Sequence, residues 1–288
     1  LRQGRICTEC LDRRSARPAI AHGCYRGRIA SVPVAFTIAW HRHARTWNRA
    51  PHALIVLTGF QKTMMAKAGL AEDRLHVKGN FTPDAEPIAW SERDPTVVFL
   101  GRVSEEKGIR MLIDAWQILG ARAPRLRIIG AGDGLANLRA RIASSGMAER
   151  IDVVGTLPHA EAMHALARAR LLVFPSIWYE PFGMSIIEAY ARAVPVAASR
   201  VGSLPDLVHE GRTGILFAPG DAQTLADRVA ALWNDQGELE RMGLEARREW
   251  AQNHGAEENL RRLESVYREA QAVRAVQGRP MAPAVREH

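Results

Sequence analysis

The stretch Leu171–Tyr190 reads LLVFPSIWYEPFGMSIIEAY. Its opening apolar run, closed by Pro175, is the pattern of a strand buried on both faces of a parallel sheet. A short loop from Ser176 to Gly183 follows, and a helix is expected from about Met184. The first N–H groups of such a helix have no partner within it, so they form a ready site for phosphate. Gly183 carries no side chain and leaves room for a ligand to approach the backbone. Glu180 lies in the loop and Glu188 about one turn into the helix, eight positions later.

From residue 96 the same alternation repeats. Strands are expected at TVVFLG (96–101), LRIIG (126–130), IDVVG (151–155), LLVFP (171–175), VPVAAS (194–199) and TGILF (213–217). Helices are expected at about 106–121, 134–146, 160–169, 184–193 and 203–210, and then at 221–234, 238–252 and 257–272. Strand–helix alternation predicts a parallel sheet covered on both faces. A doubly wound sheet binds ligands beyond the carboxyl ends of its strands. The stretch FLGRVSEEKG (99–108) places Arg102 directly after one strand and Lys107 just before Gly108 and a helix. Arginine grips phosphate bidentately, and lysine acts as a mobile point charge.

A carboxylate repels phosphate but accepts hydrogen bonds from sugar hydroxyls. Two cations, a helix start and two flanking glutamates therefore describe a nucleotide sugar, with the diphosphate at Gly183 and a ring on each side. The plain alternative makes Glu180 an ordinary loop acid and Glu188 a solvated helix residue. The combined order of strand, Glu, Pro-Phe-Gly and Glu weighs against it. IIGAGDG (128–134) has its glycines at the wrong spacing for a dinucleotide fingerprint and lacks the acidic partner, which argues against a nicotinamide-dependent dehydrogenase. VVGTLPH (153–159) is another strand exit, with a backbone placed to read a nucleobase edge. His159 and His164 read as exposed helix residues.

The amino-terminal part is less regular. The chain of 288 residues has a formal charge of +8, and residues 1–50 hold ten arginines against two acids, leaving 29 basic and 29 acidic groups in the rest. Such a block attracts anionic lipid, an acidic acceptor or nucleic acid, unless it reflects only an arginine-rich composition. SVPVAFTIAWHRHARTW (31–47) is expected to be an amphipathic helix, apolar then basic, suited to a core or a membrane surface. ALIVLT (53–58) and LHVKGN (75–80) read as short strands around a helix ending at Gly69. FTPDAEPIAWSERDP (81–95), with three prolines, reads as a linker. Cys7-x-x-Cys10 and Cys24 have the spacing of three structural zinc ligands, with His22 or a residue before Leu1 as a fourth; free thiols are the alternative. No apolar signal core and no run of about 18 apolar residues occurs. Leu1 is an uncommon start and fits an incomplete reading frame.

Residues 96–219 closely resemble the carboxyl-terminal domain of retaining glycosyltransferases of family 4, which have the GT-B architecture. The pieces that carry the resemblance are GRVSEEKG, IIGAGDG, VVGTLPHAEA, LLVFPSIWYEPFGMSIIEAYARAVPVAAS and GRTGILFAPGD. The resemblance implies that Arg102 and Lys107 hold the donor diphosphate and that Glu180 contacts the transferred sugar. Phe182, Gly183 and Met184 would bind hydroxyls or phosphate through their backbone, and Glu188 the ribose. Arg102, Lys107 and Glu180 would carry catalysis, with retention of configuration and without a catalytic metal or other cofactor. It implies these boundaries: a partial amino-terminal acceptor domain (1–82), a linker (83–95), a donor domain (96–252), a helix crossing back (253–272) and a disordered tail (273–288). The family's Gly-Gly-x-Pro-Glu is here Gly202-Ser203-Leu204-Pro205-Asp206. A family member has an amino-terminal domain as large as the other, and only about 80 residues precede the linker, so its first part is expected to be missing. The expected function is a cytoplasmic glycosyltransferase at the inner membrane face. Its acceptor would be lipid-linked or anionic, and nucleic acid is not among its partners. A non-catalytic nucleotide-sugar binder is the alternative.

Overall fold

The computed structural model describes Arg2 and residues 4–277. It divides into two compact units: Thr8–Lys78 with the chain from Asn259 onward, and Gly79–Glu258 with the segment up to Cys7.

The smaller unit begins with two short helices, α1 (Glu9–Asp12) and α2 (Arg17–Ala21), in a region where no periodicity is visible in the sequence. Helix α3 spans Arg28–His43 and not 31–47. It starts three residues earlier because Gly27, at φ +103, supplies a turn only glycine takes easily. It stops because Arg45 adopts φ +51, and α4 (Thr46–Arg49) then runs separately. Strands β1 (Leu54–Val56) and β2 (Leu75–Val77) pair in parallel, Leu54 opposite Leu75. Between them, α5 (Gly59–Lys67) is capped by Thr58, whose hydroxyl accepts from Gln61 N, while Gln61 Oε1 accepts from Leu57 N.

The larger unit contains the six expected strands: β3 (Thr96–Leu100), β4 (Arg125–Ile129), β5 (Ile151–Gly155), β6 (Leu171–Phe174), β7 (Val196–Ser199) and β8 (Gly214–Phe217). They form one parallel sheet in the order β5-β4-β3-β6-β7-β8. Chain direction across the sheet reverses between β3 and β6, where Val97 lies opposite Leu171. Helices α6 (Ile109–Leu119), α7 (Leu135–Ser144), α8 (His159–Arg168), α9 (Met184–Ala191), α10 (Leu204–Leu207), α11 (Ala222–Trp233) and α12 (Gln236–Asn253) follow the strands. β6, β7 and β8 are buried at every position, which explains why, Ser199 at the end of β7 apart, they carry no polar side chain. On one face Val97, Phe99, Ile128, Val173 and Phe217 join Leu112, Trp116 and Val229 from α6 and α11 in a single core. The strand residues that alternate with them, such as Val98 and Leu172, are as deeply buried on the opposite face.

The stretch expected as a linker is anchored. It contains a 3-10 turn, Trp90–Glu92, and ends in Arg93, which is 4% exposed. Arg93 donates to the carbonyls of Ile88, Ala169 and Arg192 at 3.3, 3.1 and 2.7 Å. Ala169 and Arg192 are the C-caps of α8 and α9, so one guanidinium serves two helix ends. Burial lowers its pKa to about 10, which leaves it charged at neutral pH.

The last helix, α13, spans Ala256–Gln277, so residues 273–277, expected in the tail, are helical. The rest of that tail lies outside the described residues. The division between the units falls within α13, after Glu258.

Candidate active site

Two loops at the carboxyl ends of neighbouring strands build the site. After β3 come Arg102, buried Val103 and a 3-10 turn, Glu105–Lys107; Gly108 at φ +71 then opens α6. A Cβ on Gly108 would stand 1.9 Å from the carbonyl oxygen of Pro175, directly after β6. Only glycine allows this approach, and it presses the two strand exits together. Ile177 N donates to Glu106 O at 3.0 Å, a second link between the same loops.

The juxtaposition brings Lys107 onto Glu180. Lys107 Nζ donates to Glu180 Oε1 at 2.7 Å, with side-chain exposures of 20% and 6%. The ammonium also lies 5.5 Å from the centre of the Phe174 ring and 5.9 Å from that of Trp178. Arg102 joins less directly. Its side chain is 59% exposed, and the guanidinium donates to Glu106 Oε1 at 2.5 Å. Burial works to raise the Glu106 pKa, but hydrogen bonding and the charges of Arg102 and Lys107 outweigh it, and the carboxyl lies below its usual range.

Helix α9 starts at Met184 with Gly183 as its N-cap, and no side chain caps it. Gly183 packs closely: a Cβ there would stand 2.8 Å from Ile186 Cδ1 and 3.2 Å from Leu207 Cδ1. The Phe182 side chain is buried, with its ring edge-on to His254 at 6.1 Å, while Met184 is exposed. Glu188 lies on the first turns of α9. It is half-buried on α9, and burial raises its pKa against the opposing charges of His159 and Arg192.

Other glycines serve packing. A Cβ on Gly130 would meet Gly101 O at 1.9 Å, and one on Gly132 would meet Val103 O at 2.3 Å, so the glycine-rich turn lets adjacent strand exits touch. Gly202, at φ +58, sits against Tyr179 in the Glu180 loop. Below it, fully buried Tyr190 donates to Leu207 O at 3.0 Å and lies 2.6 Å from Thr213 Oγ1, tying α9 to the chain after Gly202.

Sequence reasoning passed over Ser176. It is 1% exposed, and its hydroxyl donates to Glu180 Oε1 in a short hydrogen bond. Its only signal was its position, directly after a buried strand and four residues before Glu180. Among the described residues, no group of three or more His, Cys, Asp or Glu side chains is placed to hold a metal ion. His22, expected as a fourth zinc ligand, meets Glu9 Oε2 at 2.9 Å, and Cys7, Cys10 and Cys24 form no disulfide.

A parallel sheet of this order, with Lys107 and Glu180 paired beyond its carboxyl edge, defines a doubly wound α/β architecture. Residues 80–250, more than half of the chain, match the model of the family described as glycosyl transferases group 1, and the chain belongs to that family. It is 30% identical over 216 residues to the alpha-D-kanosaminyltransferase of Streptomyces kanamyceticus, a match covering 70% of this chain and 55% of that protein. It is 38% identical over 156 residues to the D-inositol 3-phosphate glycosyltransferase of Pseudarthrobacter chlorophenolicus, covering 51% and 36%. The chain thus spans about half or less of the curated relatives it matches. Among solved structures, a glycosyltransferase of Rickettsia africae superposes with a TM-score of 0.69 at 18% identity, covering 79% of this chain and 66% of that one. HepE of Anabaena, solved with UDP and glucose, superposes with a TM-score of 0.65 at 21% identity, covering 87% and 67%. Both share the fold.

Proposed function

We propose that this chain binds a nucleotide-diphosphate sugar at the carboxyl edge of its six-stranded sheet and serves in transfer of the sugar, with retention of configuration, to an acceptor hydroxyl. The observation that carries the reading is the contact of Lys107 with Glu180 beside the uncapped start of α9. One group suits a diphosphate, the other a hydroxylated ring, and they are held together.

In this mechanism the bond between the anomeric carbon and the diphosphate oxygen breaks, and negative charge grows on the departing diphosphate. Lys107, Arg102 and the N–H groups at Gly183 and Met184 stabilise that charge. Glu180 orients the ring, Glu188 accepts from the ribose, and Phe182 contributes its backbone. The acceptor oxygen attacks from the face the diphosphate is leaving, and its proton passes to a diphosphate oxygen. No metal or other cofactor is needed. Calorimetry with UDP- and GDP-sugars beside a turnover assay tests this; binding without transfer would favour a non-catalytic binder. NMR of the product anomer tests retention, and an inverted product would overturn that part.

The proposed acceptor is lipid-linked, reached from the cytoplasmic membrane face. Between Asp12 and Glu72 the sequence has no acidic residue, and Ile29, Val32, Phe36 and Trp40 form an exposed stripe along α3, 90%, 48%, 65% and 59% exposed. Arg28 opens the helix and Arg42 lies in its basic last turn. An apolar stripe amid unopposed positive charge suits an anionic lipid surface. Among the described residues, no helix is long and apolar enough to cross a membrane. Co-sedimentation with phosphatidylglycerol vesicles, and not with phosphatidylcholine vesicles, is expected. Equal recovery with both would remove the lipid surface from the reading.

A further inference from the structure

We infer that Ser176 is a positioning residue for the transferred sugar: with Lys107 it holds one oxygen of Glu180, so that the other oxygen faces the ring. The inference rests on the nucleotide-sugar reading above and deepens it.

Both donors converge on a single atom. Ser176 Oγ and Lys107 Nζ each donate to Glu180 Oε1, whereas Oε2 accepts from no described residue. A carboxylate anchored through one oxygen keeps two planar lone pairs on the other in a fixed direction. Side-chain torsions of Glu180 that would otherwise be lost on binding are set in advance. The anchor is itself rigid. Ser176 follows Pro175, whose carbonyl lies against Gly108, and Ile177 N is tied to Glu106 O. A buried serine commonly turns its hydroxyl back to a nearby backbone carbonyl. Here it turns to a carboxylate four residues on, which local backbone satisfaction does not require.

Lys107 alone would not fix the direction. Its ammonium has three donors on a flexible stem, and the proposed donor diphosphate draws on the same charge. When Lys107 leans toward phosphate, the Ser176 hydroxyl keeps Glu180 in place. Ser176 thus acts on the sugar side of the ligand and not on the phosphate side.

The test compares UDP with UDP-glucose, and GDP with GDP-mannose, by calorimetry on the full chain and its Ser176→Ala variant. The parent is expected to bind one nucleotide sugar more tightly than its nucleoside diphosphate. Ser176→Ala should leave nucleoside diphosphate affinity unchanged and cut the sugar-dependent increment about tenfold, the scale of one hydrogen bond to a charged group. In turnover, kcat should fall by a similar factor while KM changes less. In a Glu180→Gln background, Ser176→Ala should add less than about twofold, because residues acting through one another are not additive. Should alanine not fold at this buried site, Ser176→Cys, close in volume and a weak donor, carries the same comparison. Equal losses for diphosphate and nucleotide sugar, or no change in either, would overturn the inference alone. A parent chain that binds none of the four ligands would remove the nucleotide-sugar reading, and this inference with it.

Discussion

Replacing Lys107 by methionine isolates the electrostatics of the site. The Glu180 side chain is 6% exposed and that of Lys107 is 20% exposed, so the two ends of the ion pair differ in access to water. Removing the lysine strands a buried carboxylate with only the Ser176 hydroxyl to bond. Breaking a buried pair in this way typically costs 3–5 kcal/mol, and the remaining serine bond places Lys107→Met at the lower end, about 3 kcal/mol. Glu180→Gln leaves the ammonium, which keeps the Phe174 and Trp178 rings and swings toward solvent. The expected cost is about 1 kcal/mol, the scale of one hydrogen bond. The double variant removes both charges and should return to within about 1 kcal/mol of the parent, since a neutral replacement of a buried pair is often tolerated. Urea unfolding of the four proteins at pH 7, followed by fluorescence, gives the cycle. Equal costs for the two single changes, or a double change equal to their sum, would refute the argument from burial.

Arg93→Met should destabilise the chain by about 3 kcal/mol, because one buried and two part-buried carbonyls lose a charged donor at once; urea titration measures it, and a loss under about 1 kcal/mol would deny Arg93 that role. Glu188 has a raised pKa, so its burial favours the protonated form, and the penalty grows as pH rises above the ordinary glutamate value of 4.5. Glu188→Gln should therefore raise the melting temperature at pH 7 but not at pH 4. In the same variant nucleotide-sugar affinity should fall at pH 7 and lose the acid-side decline of the parent, read by calorimetry across pH. Gly108→Ala combines a left-handed backbone with a Cβ 1.9 Å from a carbonyl oxygen, and should cost over about 3 kcal/mol and abolish nucleotide-sugar binding.

The larger unit was legible because its pattern is repetitive. Strands buried on both faces are apolar in the main, as β6, β7 and β8 are apart from Ser199 at the end of β7. Their order in the sheet was not written in that pattern; it follows from which crossovers the chain takes. Glu180 and Lys107 could each be singled out by neighbours in sequence, but 73 positions separate them, and their contact depends on Gly108 fitting against Pro175. Arg93 hid among prolines and surface residues, since an arginine in such company ordinarily lies in water. Ser176 had no periodic or charged context at all. In the smaller unit, α3 and α4 read as one helix because nothing but the backbone of Arg45 separates them.

The pairing of Lys107 with Glu180 has one more consequence. Opposite charges 2.7 Å apart present a dipole, whose pull on a distant anion fades faster than that of a lone cation. Free orthophosphate or sulfate, arriving without a ring to engage the glutamate, meets an almost neutral surface. A visitor carrying both chemical halves can part the couple and satisfy each member. On the proposed reading, once the ring has gone the two can reunite, and Lys107 then gives less of its charge to the departing diphosphate.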